Sequence, residues 1–199
     1  SGMSHLHKEN ILHCDLACRN ILVEQKRIDK YVLKIADFGL SRVVESSEYK
    51  ASALSAFPIR WTAPEALRSG KISRASDVWS YGITLWEIAE AKRPYPELNN
   101  TEVLEGVCDR GLRLPRPKRV QVPDELWSLM QRCWLAPAER PSFDTICEEL
   151  DQIEEKYFGS NVPVEHAKKE KPKEQKENSD GSTSYANMTE YRRNKDTPN

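Results

Sequence analysis

The chain has 199 residues and a formal net charge of −1, enough for one domain of ordinary size and a tail. Its apolar-rich part carries no large basic block, which argues against nucleic acid as the main partner. No apolar run approaches the roughly 20 residues of a membrane span, and no signal peptide is present. The first residue is serine, so the chain reads as a piece of a longer protein, and any membrane anchor is expected upstream of it. Cys14, Cys18, Cys108, Cys133 and Cys147 are scattered, odd in number and without metal spacing. That pattern predicts reduced thiols in a cytoplasmic domain, or in one on the cytoplasmic side of a membrane.

In chain order, Ser1 to Glu9 reads as the end of a helix with Met3, Leu6 and His7 on one side. Ile11-Leu12 and Ile21-Leu22-Val23 are short apolar runs flanking a polar loop. Tyr31 to Ile35 alternates and is rich in β-formers, which predicts a strand ending at Asp37, with a polar turn over Lys26 to Lys30. A strand-turn-strand unit of this kind brings Asn20 and Asp37 to the same end. Ser41 to Phe57 is polar and without periodicity, and reads as a long loop. Ser76 to Ala91 is apolar nearly all round, from Val78 and Trp79 to Ile88 and Ala89, and predicts a buried helix.

Asn100 to Val107 suggests a short helix with an Asn cap. Pro123-Asp124-Glu125 is a helix start, followed by Leu126, Leu129, Met130 and Cys133 at helical spacing. Ser142 is placed to cap a last helix whose inward face is Phe143, Ile146, Leu150, Ile153 and Tyr157. After Gly159 the composition shifts to Lys, Glu, Ser, Asn and Pro, which predicts disorder.

One constellation carries chemistry. His13-Cys14-Asp15 is followed by Asn20, then Asp37-Phe38-Gly39, then Ala63-Pro64-Glu65. Asp15 is a base for a substrate hydroxyl. Asn20 and Asp37 offer the oxygen ligands that a hard cation such as magnesium prefers. Asp15 and Asn20 are five residues apart, so one loop presents base and metal ligand together. Gly39 frees the backbone to turn after Phe38.

In this order and spacing the chain resembles a protein kinase, and specifically the C-terminal lobe of a protein tyrosine kinase, over residues 1–157. The resemblance implies an α+β, mainly α fold, with residues 158–199 as a disordered charged tail. It implies ATP and Mg2+ as cofactors and tyrosine-bearing protein substrates. Leu16-Ala17-Cys18-Arg19-Asn20 looks like the tyrosine-kinase catalytic loop, with Arg19 acting near the transferred phosphate. Phe57-Pro58-Ile59-Arg60-Trp61 is similar to the acceptor platform, where Pro58 and Trp61 shape the surface for a phenol ring. By the same resemblance Asp77 bonds back to the catalytic-loop backbone, and Arg140, in Arg140-Pro141-Ser142-Phe143, pairs with Glu65. Leu22 forms part of the floor under the adenine; as a residue read alone, it is simple core.

Two departures stand out. No glycine-rich phosphate loop and no strand lysine with a helix glutamate partner occur in these residues, which predicts no significant activity of the chain alone. Cys14 stands where the family carries an arginine that pairs with activation-loop phosphate. Tyr49 sits where tyrosine kinases are commonly autophosphorylated. In the tail, Tyr185-Ala186-Asn187-Met188 resembles two patterns read by Src-homology 2 domains once the tyrosine is phosphorylated. The alternative readings are a catalytically silent kinase-like module and a phosphotyrosine scaffold.

Overall fold

The computed structural model describes residues 1–28, 30–44, 48–50 and 57–159. Helix outweighs strand in them. Helix α1 (Gly2–Lys8) leads into β1 (Ile11–Leu12), the polar loop and the antiparallel pair β2 (Ile21–Arg27) and β3 (Lys30–Ile35). Strands β4 (Arg42–Val43) and β5 (Glu48–Lys50) follow, then α2 (Pro64–Ser69) and β6 (Lys71–Ser73). The remainder is α3 (Arg74–Glu90), α4 (Asn100–Asp109), α5 (Asp124–Cys133) and α6 (Phe143–Phe158).

Helix α3 is the centre of the core. Val78, Trp79, Ile83 and Trp86 are buried on it, as are Leu129, Met130 and Cys133 of α5. The two helices approach closely at Gly82, where a Cβ would lie 2.6 Å from Cys133 Cβ and 2.7 Å from Trp134 Nε1. Any side chain there forces the helices apart. The Trp79 ring has guanidinium carbons on it from Arg113 at 4.6 Å and Arg140 at 5.1 Å, a desolvated cation–π arrangement. At its start α3 is closed by a capping box between Ser73 and Ser76. Asn99 and Glu102 form another for α4, and the Ser142 hydroxyl accepts from Thr145 N at 3.2 Å ahead of α6. Such caps satisfy backbone donors that a helix start leaves open.

Several expectations need correction. The segment Ser41 to Phe57 is not loop throughout: β4 pairs with β1 through Leu12↔Arg42, and β5 pairs with β6 through Tyr49↔Ile72. These strands are too short for alternation to show in the sequence, and their pairing partners lie far away in the chain. The turn between β2 and β3 is narrower than Lys26 to Lys30, because β2 runs to Arg27 and β3 starts at Lys30. Strand β3 ends at Ile35, two residues before Asp37. Ile88 is 53 % exposed and Tyr157 45 % exposed. The apolar stripe of α3 is therefore not complete, and the α6 face turns to solvent near its end. Leu22 is 58 % exposed, so it is not core; the two-stranded pair leaves that side of β2 uncovered. The helix runs one residue past 157, to Phe158, and Gly159 follows at φ +64°.

All the cysteines are free. Among the described residues no helix is long and apolar enough to cross a membrane. The expected tail disorder and Tyr185 lie outside the described residues, as does the side chain of Tyr49.

Candidate active site

The polar loop between β1 and β2 is folded by its own side chains. His13 is fully buried. Its Nδ1 accepts from Asp15 N at 3.3 Å, and its Nε2 lies 3.2 Å from the carbonyl of Ala36. A carbonyl only accepts and a backbone N–H only donates, so the proton sits on Nε2. The ring thus ties the base loop to the end of β3, and Phe38 packs against it at 5.5 Å between centroids. From the other side, Ala36 N donates to Asn20 O at 2.8 Å.

Asp15 lies within reach of both neighbours that the sequence singled out. Its Oδ1 is ion-paired with Arg19, and its Oδ2 accepts from Asn20 Nδ2 at 3.0 Å. The same Nδ2 donates to the Asp15 carbonyl at 2.7 Å. Both amide donors of Asn20 are directed at Asp15, which leaves the Asn20 carbonyl oxygen for another partner. A turn of 3-10 helix over Cys18–Asn20 sets this geometry. Across the hairpin, Ile21 pairs with Ile35, which brings Asp37 to the Asn20 end. Asp37 is exposed, has φ +61°, and its Oδ1 accepts from Gly39 N at 3.2 Å. Asp tolerates the left-handed region better than most residues because its carboxylate bonds its own backbone.

Cys14 is also left-handed, at φ +67°, and a cysteine has no such local device. Helix α3 supplies it. Asp77, 1 % exposed, accepts Cys14 N on Oδ1 at 2.9 Å and His13 N on Oδ2 at 2.9 Å. His7 Nε2 donates to the same Oδ2 at 2.9 Å, and the His7 ring meets Phe143 edge-on. Burial pushes the Cys14 thiol up to about 12, with the nearby Asp77 carboxylate adding to the effect.

Asp77 begins a polar seam that the sequence reading did not find. One or two turns further along α3, Ser80 Oγ donates to Trp61 O at 2.8 Å and Thr84 Oγ1 to Leu16 O at 3.3 Å. Glu87 Oε2 then accepts both Cys18 N and Trp61 Nε1 at 3.0 Å. Positions 77, 80, 84 and 87 share one helix face. Polar residues at that spacing in an otherwise apolar helix were the available signal.

The seam positions the 57–63 segment as well. Trp61 is buried, and its ring lies under the Arg19 guanidinium, 4.8 Å from centroid to Cζ. Pro58 is half-buried and starts a turn in which its carbonyl accepts Trp61 N at 2.9 Å and Thr62 Oγ1 at 2.9 Å. Arg60, also missed, is buried and donates to the carbonyls of Pro94, Tyr95 and Leu98. Further on, Arg140 meets Glu65 in a two-pronged pair at 2.6 and 2.9 Å. It also donates to the carbonyls of Ala75 and Leu135 at 2.9 Å. Leu22 takes part in none of these contacts, and its side chain is exposed.

The arrangement places a carboxylate base, a guanidinium and two metal-capable oxygens at one end of a hairpin, braced by a central helix. A family model described as protein tyrosine and serine/threonine kinase matches residues 1–150. The chain is similar to the tyrosine-protein kinase Src64B of Drosophila melanogaster, with 44 % identity over 146 residues. That similarity covers 72 % of this chain and 26 % of the fly protein.

Proposed function

Because the chain belongs to the protein tyrosine and serine/threonine kinase family, we propose that residues 1–157 are the C-terminal lobe of a protein tyrosine kinase. The complete protein then transfers the γ-phosphoryl group of ATP to tyrosine hydroxyls of proteins. The observation that carries this reading is the single hydrogen-bonded loop that gathers Asp15, Arg19 and Asn20 beside Asp37. Tyrosine as acceptor is supported by Leu16-Ala17-Cys18-Arg19-Asn20, by Pro58 and Trp61, and by the similarity to a relative named as a tyrosine-protein kinase.

Phosphoryl transfer asks for positioning and charge stabilisation more than covalent chemistry. Asp15 orients the acceptor hydroxyl and takes its proton. Arg19 neutralises charge at the phosphate, and the ion pair with Asp15 keeps the two groups together until substrate enters. The side-chain oxygen Oδ1 of Asn20 and the Asp37 carboxylate form an all-oxygen donor set that fits magnesium, which takes few protein ligands. When bound, that ion neutralises phosphate charge. In this reading Leu22, on the uncovered side of β2, faces the adenine.

The chain spans 26 % of the length of the relative it matches, and these 199 residues include no glycine-rich phosphate loop. The chain alone is therefore inactive in this reading. Tyr49 is a phosphorylation site. Tyr185, within the charged tail of residues 158–199, is a docking site for Src-homology 2 domains on the cytoplasmic side. Cys14 is the feature that favours the second reading, a catalytically silent module or phosphotyrosine scaffold.

One experiment separates the readings. The chain joined to its upstream lobe is given ATP, magnesium and a tyrosine-containing copolymer, beside its Asp15→Asn variant. A loss of about 10²–10⁴-fold on substitution is expected for removal of a positioned general base. Equal incorporation by both proteins would overturn the assignment of Asp15, and no incorporation by either favours the silent module.

A further inference from the structure

The segment 112–119 is stapled across the C-terminal end of α3. Trp86 Nε1 donates to Pro115 O at 2.7 Å. Glu90 Oε2 accepts from Lys118 N at 2.7 Å and Arg119 N at 3.1 Å. Between this segment and the turn after α3 lies a cleft of about 340 Å³. Trp86, Tyr95, Leu112 and Leu114 give it an apolar lining.

The rim carries more cations than anions. Lys92, Arg113, Arg116 and Lys118 line it beside Glu90 and Glu97, with Arg93 and Arg119 adjoining in sequence. Arg116 is paired with Asp124 at 2.7 Å, and Lys92 lies 3.5 Å from Glu90. Arg93, Lys118 and Arg119 are exposed and have no acidic partner among the described residues. The negative end of the α3 dipole accounts for cations directly after that helix. It does not account for Lys118 and Arg119, which come from another segment and whose backbone, not side chain, meets Glu90.

Tyr95 is the second observation. It is 6 % exposed, is held at φ +51°, and its hydroxyl has no partner among the described residues. Burial raises its phenol above the usual range, so it remains a donor. A buried hydroxyl left without an acceptor costs free energy, and Tyr95 lines the cleft.

We propose that this cleft docks an acidic, extended segment of a partner protein. An apolar side chain of that segment enters between Trp86, Tyr95 and Leu114, and its carboxylates meet Arg93, Lys118 and Arg119. An aromatic-floored cleft under a cationic rim matches such a ligand in both shape and charge. A lipid headgroup offers the charge without a side chain to insert. The surface uses none of Asp15, Asn20 or Asp37, so it stands apart from phosphoryl transfer.

The test is fluorescence anisotropy of the full 199-residue chain with a fluorescein-labelled peptide, Glu-Glu-Glu-Leu-Phe-Glu-Glu-Glu. Binding is expected, weakening as salt is raised. The Lys118→Glu/Arg119→Glu variant is expected to bind about tenfold more weakly, and Arg93→Glu, on the other side of the rim, to weaken it as well. Serine in place of Leu-Phe in the peptide is expected to reduce binding by a similar factor. Lys26→Glu/Lys30→Glu, on the β2–β3 hairpin, serves as the charge control and is expected to change nothing. Undiminished binding by both rim variants, or equal binding of the serine peptide, would overturn the proposal. So would no binding of the peptide, with or without sedimentation of the chain on phosphatidylserine vesicles.

Discussion

Asp77 Oδ1 accepts the backbone N–H of Cys14 at 2.9 Å and thereby holds a non-glycine residue at φ +67°. A residue in that region costs roughly 1–3 kcal/mol and persists only where its surroundings over-determine it. Asp77→Asn puts an amide N–H among donors from His7, His13 and Cys14. A loss of about 3–5 kcal/mol is expected from breaking this buried charged network. Urea unfolding of the two proteins measures it, and a change within about 0.5 kcal/mol, as for an ordinary surface substitution, would count against the bracing role.

Glu87 links the base loop to the 57–63 segment through one oxygen. Glu87→Leu strands two part-buried donors, Cys18 N and Trp61 Nε1, at up to about 1–3 kcal/mol each. Glu87→Gln retains an acceptor and is expected to cost much less. Thermal unfolding of the pair of variants distinguishes loss of the acceptor from loss of charge, which predicts equal effects.

Glu65 and Arg140 lie far apart in sequence and meet in a two-pronged pair beside Trp79. The Arg140 side chain is 1 % exposed and that of Glu65 24 %. Glu65→Ala therefore leaves a buried cation without its counter-charge, at about 3–5 kcal/mol. A double-mutant cycle with Arg140→Met is expected to return a coupling of about 0.5–3 kcal/mol. Additive single effects would show that the two groups act separately.

The thiols set the alkaline limit. Burial pushes Cys14, Cys18 and Cys133 from an ordinary 9.0 up to about 12. Each raised group keeps its proton in the folded chain and loses it in the unfolded chain once pH passes 9.0. Their contribution is therefore intact below 9.0 and is lost as pH climbs toward about 12. Urea midpoints are expected to fall across that window. At about pH 8, iodoacetamide is expected to label Cys14 and Cys133 only after denaturation, because the thiolate is the reactive form. Rapid labelling of the native chain at either residue would contradict this.

Cys14 also bears on regulation. Under the proposed role of Tyr49 as a phosphorylation site, its phosphate gains fewer charge-assisted contacts without a guanidinium at position 14. In the chain joined to its upstream lobe, Tyr49→Phe is expected to lower activity less in the Cys14 background than after Cys14→Arg. Steady-state kinetics of the four proteins reads this out, and a large, equal loss in both backgrounds would refute it.

Much of this could be read from local patterns. The helices α3, α5 and α6 are visible because each repeats an apolar face over several turns, Ser142 announces the cap of α6, and an Asn cap is legible for α4, where the structure shows it to be Asn99. The β2–β3 hairpin follows from alternation, and with it the approach of Asn20 to Asp37. The short strands β4, β5 and β6 were not legible, since two or three residues carry no period. For Leu22 the reading as simple core fails, because an apolar residue in a strand does not say which side is covered.

By itself, the sequence determined the kinase family, through the spacing of Asp15, Asn20 and Asp37, and the helical stripes that build a core. It could do so because motif spacing and helical period are local properties of the chain. Only the tertiary structure decided how those residues are held. The Glu87 oxygen shared by Cys18 and Trp61, the left-handed Cys14 braced by Asp77 and the basic rim drawn from two distant segments all join groups well separated in sequence. Such contacts depend on how α3 is oriented in the packed core, and that orientation is set by the close approach at Gly82 and the burial of Trp79 and Ile83.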